Sequence, residues 1–189
     1  MKKILIGLSL LSALAFGECS FERDGEPLIK WTAYKTPAKK GVSGSFDTLK
    51  LKGSESAKSL EKLLVGTQVK ISTTSVNSKN EGRDKKLVEF FFGLFSDDKI
   101  YAEISVLKGN ETQGNMLVDI VMNSQRQQIP MSYTIKENQL YAVGYLDLAE
   151  FKALHAVASI NKACFDLHQG KTWSDVKVEF TLPVNKVCH

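Results

Sequence analysis

Ile100-Tyr101-Ala102-Glu103-Ile104-Ser105-Val106 decides the reading of this chain. Ile100, Ala102, Ile104 and Val106 point one way, and Tyr101, Glu103 and Ser105 the other, the period-two pattern of a strand with one buried face. Outward from it the rhythm recurs in Val69 with Ile71, Val118 with Ile120 and Met122, and Ile129 with Met131 and Tyr133. It continues in Leu140 with Ala142 and in Val176 with Val178, Phe180 and Leu182. Near the other end Ile29, Trp31 and Ala33 oppose Lys30, Thr32 and Tyr34. Val42, Gly44 and Phe46 follow, after which the phase slips to Leu49 and Leu51, and a bulge near Asp47 is expected. The pattern predicts about eight strands. The gaps at 108–114, 123–126 and 136–139 are short, so the middle strands are expected to be antiparallel neighbours.

Three stretches carry helical spacing instead. Ser56 to Leu64 reads as a weak polar helix ending before Gly66. Gly82 to Phe95 places Leu87, Phe90, Phe91, Leu94 and Phe95 on one stripe, backed by Arg83, Asp84, Lys85, Lys86 and Glu89. Asp147 is the expected cap of a third helix reaching about Phe165, with Phe151, Leu154, Ala158 and Phe165 inward.

The 189 residues are 43% apolar and 24% charged, the composition of an ordinary globular protein, and their number suits one domain. With 25 Lys plus Arg against 21 Asp plus Glu, the net charge of +4 is small, and the basic residues are interleaved with acidic ones. That excludes a nucleic-acid footprint, which requires clustered Lys and Arg.

Lys2 and Lys3, the apolar run Ile4 to Phe16 and the closing Ala15-Phe16-Gly17 read as a secretory signal peptide with cleavage after Gly17. The run covers about 20 Å as a helix, against a hydrocarbon core of roughly 30 Å, so it is short for a membrane span. The expected mature domain is 18–189, periplasmic or secreted. Export permits one disulfide among Cys19, Cys164 and Cys188, with three pairings open. Cys19 with Cys188 is favoured, because the ends of a closed antiparallel barrel meet where its first and last strands pair.

Catalytic and metal motifs are sparse. There is no G-x-S-x-G elbow, and the only histidines are His155, His168 and His189, so no enzyme is expected and no catalytic residue is assigned. Gly170-Lys171-Thr172 imitates the tail of a phosphate loop, but Phe165 stands where its first Gly belongs. Cys164 and His168 have the spacing of two ligands on one helix face, to which Cys188 and His189 could add the remainder of a zinc site, yet structural zinc favours tighter pairs and no metal is expected. Asp97 and Asp98 read as turn residues.

About eight antiparallel strands in one domain form either a sandwich or a closed barrel, whose lumen at this size holds side chains or one small ligand. The inward set mixes bulky Trp31, Phe46, Ile104 and Phe180 with small Ala33, Gly44, Ala102, Ala142 and Gly144, and either a dry cavity or an interdigitated core follows from it. The Phe-rich helix would line or cover one end.

Val42-Ser43-Gly44-Ser45-Phe46, followed by Asn80-Glu81-Gly82-Arg83-Asp84 and Leu87 running into Phe90-Phe91-Phe92, resembles the V-x-G-x-F, N-x-x-R-D-x-H-L and Phe-pair pattern of the YceI-like family of secreted bacterial proteins. Lys86 stands at the position of that family's His. The resemblance implies an all-β, eight-stranded antiparallel, lipocalin-like barrel with two or three short helices. It further implies non-catalytic binding of a polyisoprenoid, an isoprenoid quinone or another long amphiphile in the lumen. Asn80, Arg83 and Asp84 are its motif positions, read first as a scaffold at a helix start. The expected ligand wall is Trp31, Ala33, Phe46, Ile71, Phe90, Phe91, Leu94, Ile104, Ile120, Met131, Tyr133, Ala142 and Phe180. No cofactor is expected beyond a bound lipid or isoprenoid. The partner expected is a long apolar small molecule, with transient membrane contact and a monomer or homodimer state. The alternative is a filled barrel that acts through its surface as an adhesin or assembly partner.

Overall fold

Period-two alternation builds one antiparallel sheet in a computed structural model that describes residues 18–188. The leader expected at 1–17 lies outside the described residues. In chain order the elements are β1 (Cys19–Arg23), β2 (Leu28–Lys35), β3 (Lys40–Phe46), β4 (Leu49–Lys52), β5 (Ser56–Ala57), α1 (Leu60–Leu64), β6 (Gln68–Ser72) and β7 (Val76–Asn77). Then come α2 (Glu81–Phe90), β8 (Lys99–Gly109), β9 (Gln113–Met122), β10 (Gln125–Lys136), β11 (Gln139–Asp147), α3 (Leu154–Ala163), α4 (Phe165–His168) and β12 (Thr172–Cys188).

The sheet order is β4-β6-β8-β9-β10-β11-β12-β2-β3-β7, so its two edges are β4 and β7. Those edges belong to one ladder. Ser45 and Phe46 face Asn77 and Val76, and three residues after Phe46 Leu49 faces Ile71. Hence β3 with β4, and β6 with β7, act as two kinked staves that close the ring. Counted this way the barrel has eight staves, and β1 is added outside along the last part of β12 with β5 beyond it. It is an all-β, lipocalin-like barrel.

The expected bulge near Asp47 is instead this kink, where Asp47 and Thr48 face a single 3-10 turn, Thr73–Ser75, and the Asp47 N–H donates to the Ser75 carbonyl at 2.9 Å. True register shifts fall elsewhere. Between Ile104 and Val106 the β8–β9 register slips, so Val106 leaves the inward row and Leu107, opposite Met116, enters it.

All three helical expectations shorten. Ser56 and Ala57 are strand, Ser59 caps α1, and the three leucines Leu60, Leu63 and Leu64 are buried, so this segment is a core plug rather than a polar helix. It packs among β1, β5 and β8, at the opposite end of the barrel from α2 and α3. The Phe-rich helix stops at Phe90. Phe91 leaves helical geometry at φ −124° and ψ −71°, and a 3-10 turn, Phe92–Leu94, follows. The break lets the chain bend over the barrel rim with Phe91, Phe92 and Phe95 in edge-to-face contact at 4.9–5.6 Å. Asp147 ends β11, and its carboxylate caps the turn at the Ala149 N–H (2.9 Å) instead of a helix. Phe151 is buried as expected, but α3 starts only at Leu154, which shifts its phase: Ala156, Val157 and Ile160 are inward, whereas Leu154, Ala158 and Phe165 are exposed.

Cys19 and Cys188 are opposite each other in the β1–β12 register and form a disulfide, leaving Cys164 as a buried free thiol.

Candidate functional site: an apolar cavity with a basic mouth

The inward rows of β2, β3, β6, β8, β9, β10 and β12 surround a cavity of about 220 Å³. Its walls are Trp31, Ala33, Ile71, Ala102, Ile104, Val118, Ile120, Met131, Val178, Phe180 and their neighbours. An apolar void of even about 150 Å³ stays dry and takes up hydrocarbon guests, because water inside it would have no hydrogen-bond partners. The cover is helical. Leu87 from α2, with Phe91 and Phe92 beyond its end, and Val157, Ile160, Cys164 and His168 from α3 and α4 line the same space.

Polar groups gather where β2 ends and β12 begins. Lys35 and Thr172 face each other across the β2–β12 ladder. The Thr172 hydroxyl donates to Asn161 Oδ1 (2.9 Å) and lies 2.7 Å from His168 Nδ1, which makes Nδ1 the protonated nitrogen of the neutral ring. From α2, Lys86 reaches the Ala163 carbonyl at 3.4 Å. Burial, then the positive charges of Lys35 and Lys86, hold His168 below the ordinary histidine range.

Asn80, Arg83 and Asp84 make a knot at the start of α2. The Asn80 side chain caps the helix by accepting from the Arg83 N–H at 2.9 Å. The Asp84 carboxylate accepts from the N–H of buried Ser78 at 2.9 Å and from its hydroxyl. Arg83 donates from Nε to the Ser78 hydroxyl (2.7 Å) and from Nη2 to its carbonyl (2.6 Å). Of the three, Arg83 also borders the cavity.

Of the residues expected on the ligand wall, Trp31, Ala33, Phe46, Ile71, Phe91, Ile104, Ile120, Met131 and Phe180 line the cavity. Phe90, Leu94, Tyr133 and Ala142 do not. Phe90 and Leu94 are displaced by the break at Phe91, which leaves Leu94 on the surface at 42% exposure. Tyr133 lies further along the barrel, with its ring against Gly114 and its hydroxyl donating to the Asn110 carbonyl at 2.8 Å. Ala142 is 1% exposed in solid core opposite Phe180 and Tyr133. The alternation had already marked Val69, Val118, Met122, Val176 and Val178 as inward, and they also line the space. Lys35, Lys86, His168 and Thr172 carried no such signal, because they are brought together from four separate elements. Cys188, considered with Cys164 and His168 as a metal ligand, is tied up in the disulfide.

No family model matches the chain, and no curated protein matches it in sequence. Solved structures do match in fold. A polyisoprenoid-binding domain from Saccharophagus degradans, implicated in plant cell wall breakdown, superposes with a TM-score of 0.62 at 12% identity, over 88% of this chain and 97% of that one. Burkholderia cenocepacia BcnA gives 0.60 at 10% identity, over 84% and 96%. The Campylobacter jejuni YceI protein gives 0.54 at 15% identity, over 79% and 86%. The chain therefore has the fold of these proteins, shared over 79–88% of its own length and 86–97% of theirs.

Proposed function

We propose that this protein is a non-catalytic carrier or sequestering protein of the periplasm or extracellular space, which holds the tail of one long amphiphile in its lumen. The candidates are a polyisoprenoid, an isoprenoid quinone or a fatty-acid-like lipid. The observation that carries this reading is the 220 Å³ cavity with an almost wholly apolar wall. Each methylene buried there contributes about 0.8 kcal/mol, so a chain of modest length binds without any polar contact. The polyisoprenoid-binding domain of the same fold supports a lipid ligand, and the Cys19–Cys188 bridge supports an oxidising compartment. The void supports this reading over that of a filled barrel acting through its surface.

Loading by transient membrane contact fits the outer side of the same cover. Leu154, Phe165 and Leu167 are 53%, 61% and 64% exposed there, on helices whose inner sides line the cavity.

Organic extraction and mass spectrometry of freshly purified protein test the proposal. A lipid recovered near one per chain is the expected result. Repeated recovery of empty protein that also refuses a fluorescent fatty-acid probe overturns it.

A further inference from the structure

Lys35, Lys86 and His168 converge at the mouth of the cavity, and among the described residues no carboxylate meets either lysine within 4.0 Å. The nearby acids are engaged elsewhere or turned away. Asp84 is held by Ser78, and Asp175 is paired with Lys39 at 2.8 Å. Asp166 is exposed on α4, and Glu103, the one acid bordering the cavity, accepts from Gln68 Nε2 at 3.0 Å. Arg83 adds a further positive charge at the rim while its own donors hold Ser78. The mouth is therefore a collar of positive charge around an apolar hole.

Burial first, and then the two ammonium groups, disfavour a further proton on His168, and an anion between the lysines relieves the part that is charge repulsion. Next to a low-dielectric wall the attraction exceeds its value in open water. The direction of the hydrogen bonds also matters. Because Thr172 donates to Asn161 and accepts from His168 Nδ1, Nε2 is the nitrogen left to take a proton and donate it to an arriving oxygen.

We propose that the site selects amphiphiles with an anionic oxygen head, a carboxylate or a phosphate, seated between Lys35 and Lys86 with His168 as the third donor. This rests on the carrier reading above and narrows it: a neutral quinone or alcohol leaves the collar uncompensated.

The test uses delipidated protein and calorimetric titration with two matched pairs, hexadecenoic acid against hexadecenol and farnesyl phosphate against farnesol. The expected result is that at least one anion binds about tenfold or more tightly than its neutral partner, the effect of one charge-assisted hydrogen bond. A preference in the first pair assigns a carboxylate and in the second a phosphate, and either supports the proposal. The double variant K35Q/K86Q should lose the preference while its affinity for the alcohols stays within about threefold. Salt titration of the unmodified protein gives a readout that does not depend on the variant folding: the anion-to-neutral ratio falls as ionic strength rises. Equal binding of anion and neutral partner, or a preference that survives both the substitutions and salt, overturns the head-group proposal and leaves the carrier reading standing. Binding of none of the four compounds removes both.

Discussion

Ala102→Phe puts the cavity itself on trial. Ala102 is the fourth residue of β8, between Val69 on one neighbour and Ile120 on the other, and lines the cavity wall. Phenylalanine adds six ring carbons that enter the void rather than a filled core, so the fold should melt at or above the wild-type temperature. The ring displaces about six methylenes of tail at about 0.8 kcal/mol each, which totals about 5 kcal/mol and weakens binding by about three to four powers of ten. Displacement of a fluorescent polyene fatty acid reads the affinity, and thermal melting reads the fold. Ala142→Trp is the control, since Ala142 is in solid core: it should lose about 1–3 kcal/mol of stability by overpacking without entering the cavity. A folded Ala102→Phe protein that binds the probe as tightly as the wild type would refute the cavity as the tail site.

Removal of the bridge by Cys19→Ala with Cys188→Ala frees a loop spanning 169 residues, for which chain entropy gives about 5 kcal/mol, and should lower the melting temperature by roughly 10–20 °C; an unchanged melt would show that the bridge does not form. His168 is held below its usual range by burial and by Lys35 and Lys86, so the unfolded chain protonates it first. The stability it contributes is complete above about pH 6.5 and is lost as pH falls below that. Melting between pH 8 and 5 should therefore show a decline that His168→Gln reduces, and an identical slope in that variant would contradict the assignment. Replacing Phe165 and Leu167 by Ser should weaken co-sedimentation with phospholipid vesicles by about tenfold or more, from apolar area lost, while ligand affinity in solution is kept; equal sedimentation would discard that surface as the membrane contact.

The strands were legible because burial on one side of a strand leaves a period-two record, and eight staves follow from counting those records. Small inward residues were a poorer guide. Gly144 suggested space, yet a Cβ there would sit 2.7 Å from the Met131 side chain, and at Gly44 it would sit 2.4 Å from the Trp31 ring. Both vacancies are filled by large neighbours across the sheet, so smallness at one position says nothing until its partner is known. Helix length was misjudged at Phe91 and at Asp147 for a related reason. The spacing of Leu87, Phe90, Phe91, Leu94 and Phe95 permits a continuous helix, and only the barrel rim forces the bend. The basic collar was out of reach altogether, since residues 35, 86 and 168 acquire a common role only after the ring has closed.

The helical cover differs from the barrel in one respect with wider effect. No residue of α2 is fully buried, whereas the staves carry a buried row that includes Ile71, Ile104, Val118, Ile120, Met131 and Phe180. Amide protons of α2 should therefore exchange through small excursions that leave the ring intact, and a seated tail should slow that exchange more than any in the staves. The guest would then act as the missing core of its own doorway, and the speed of its departure would follow the fraying of ten residues rather than the unfolding of the whole.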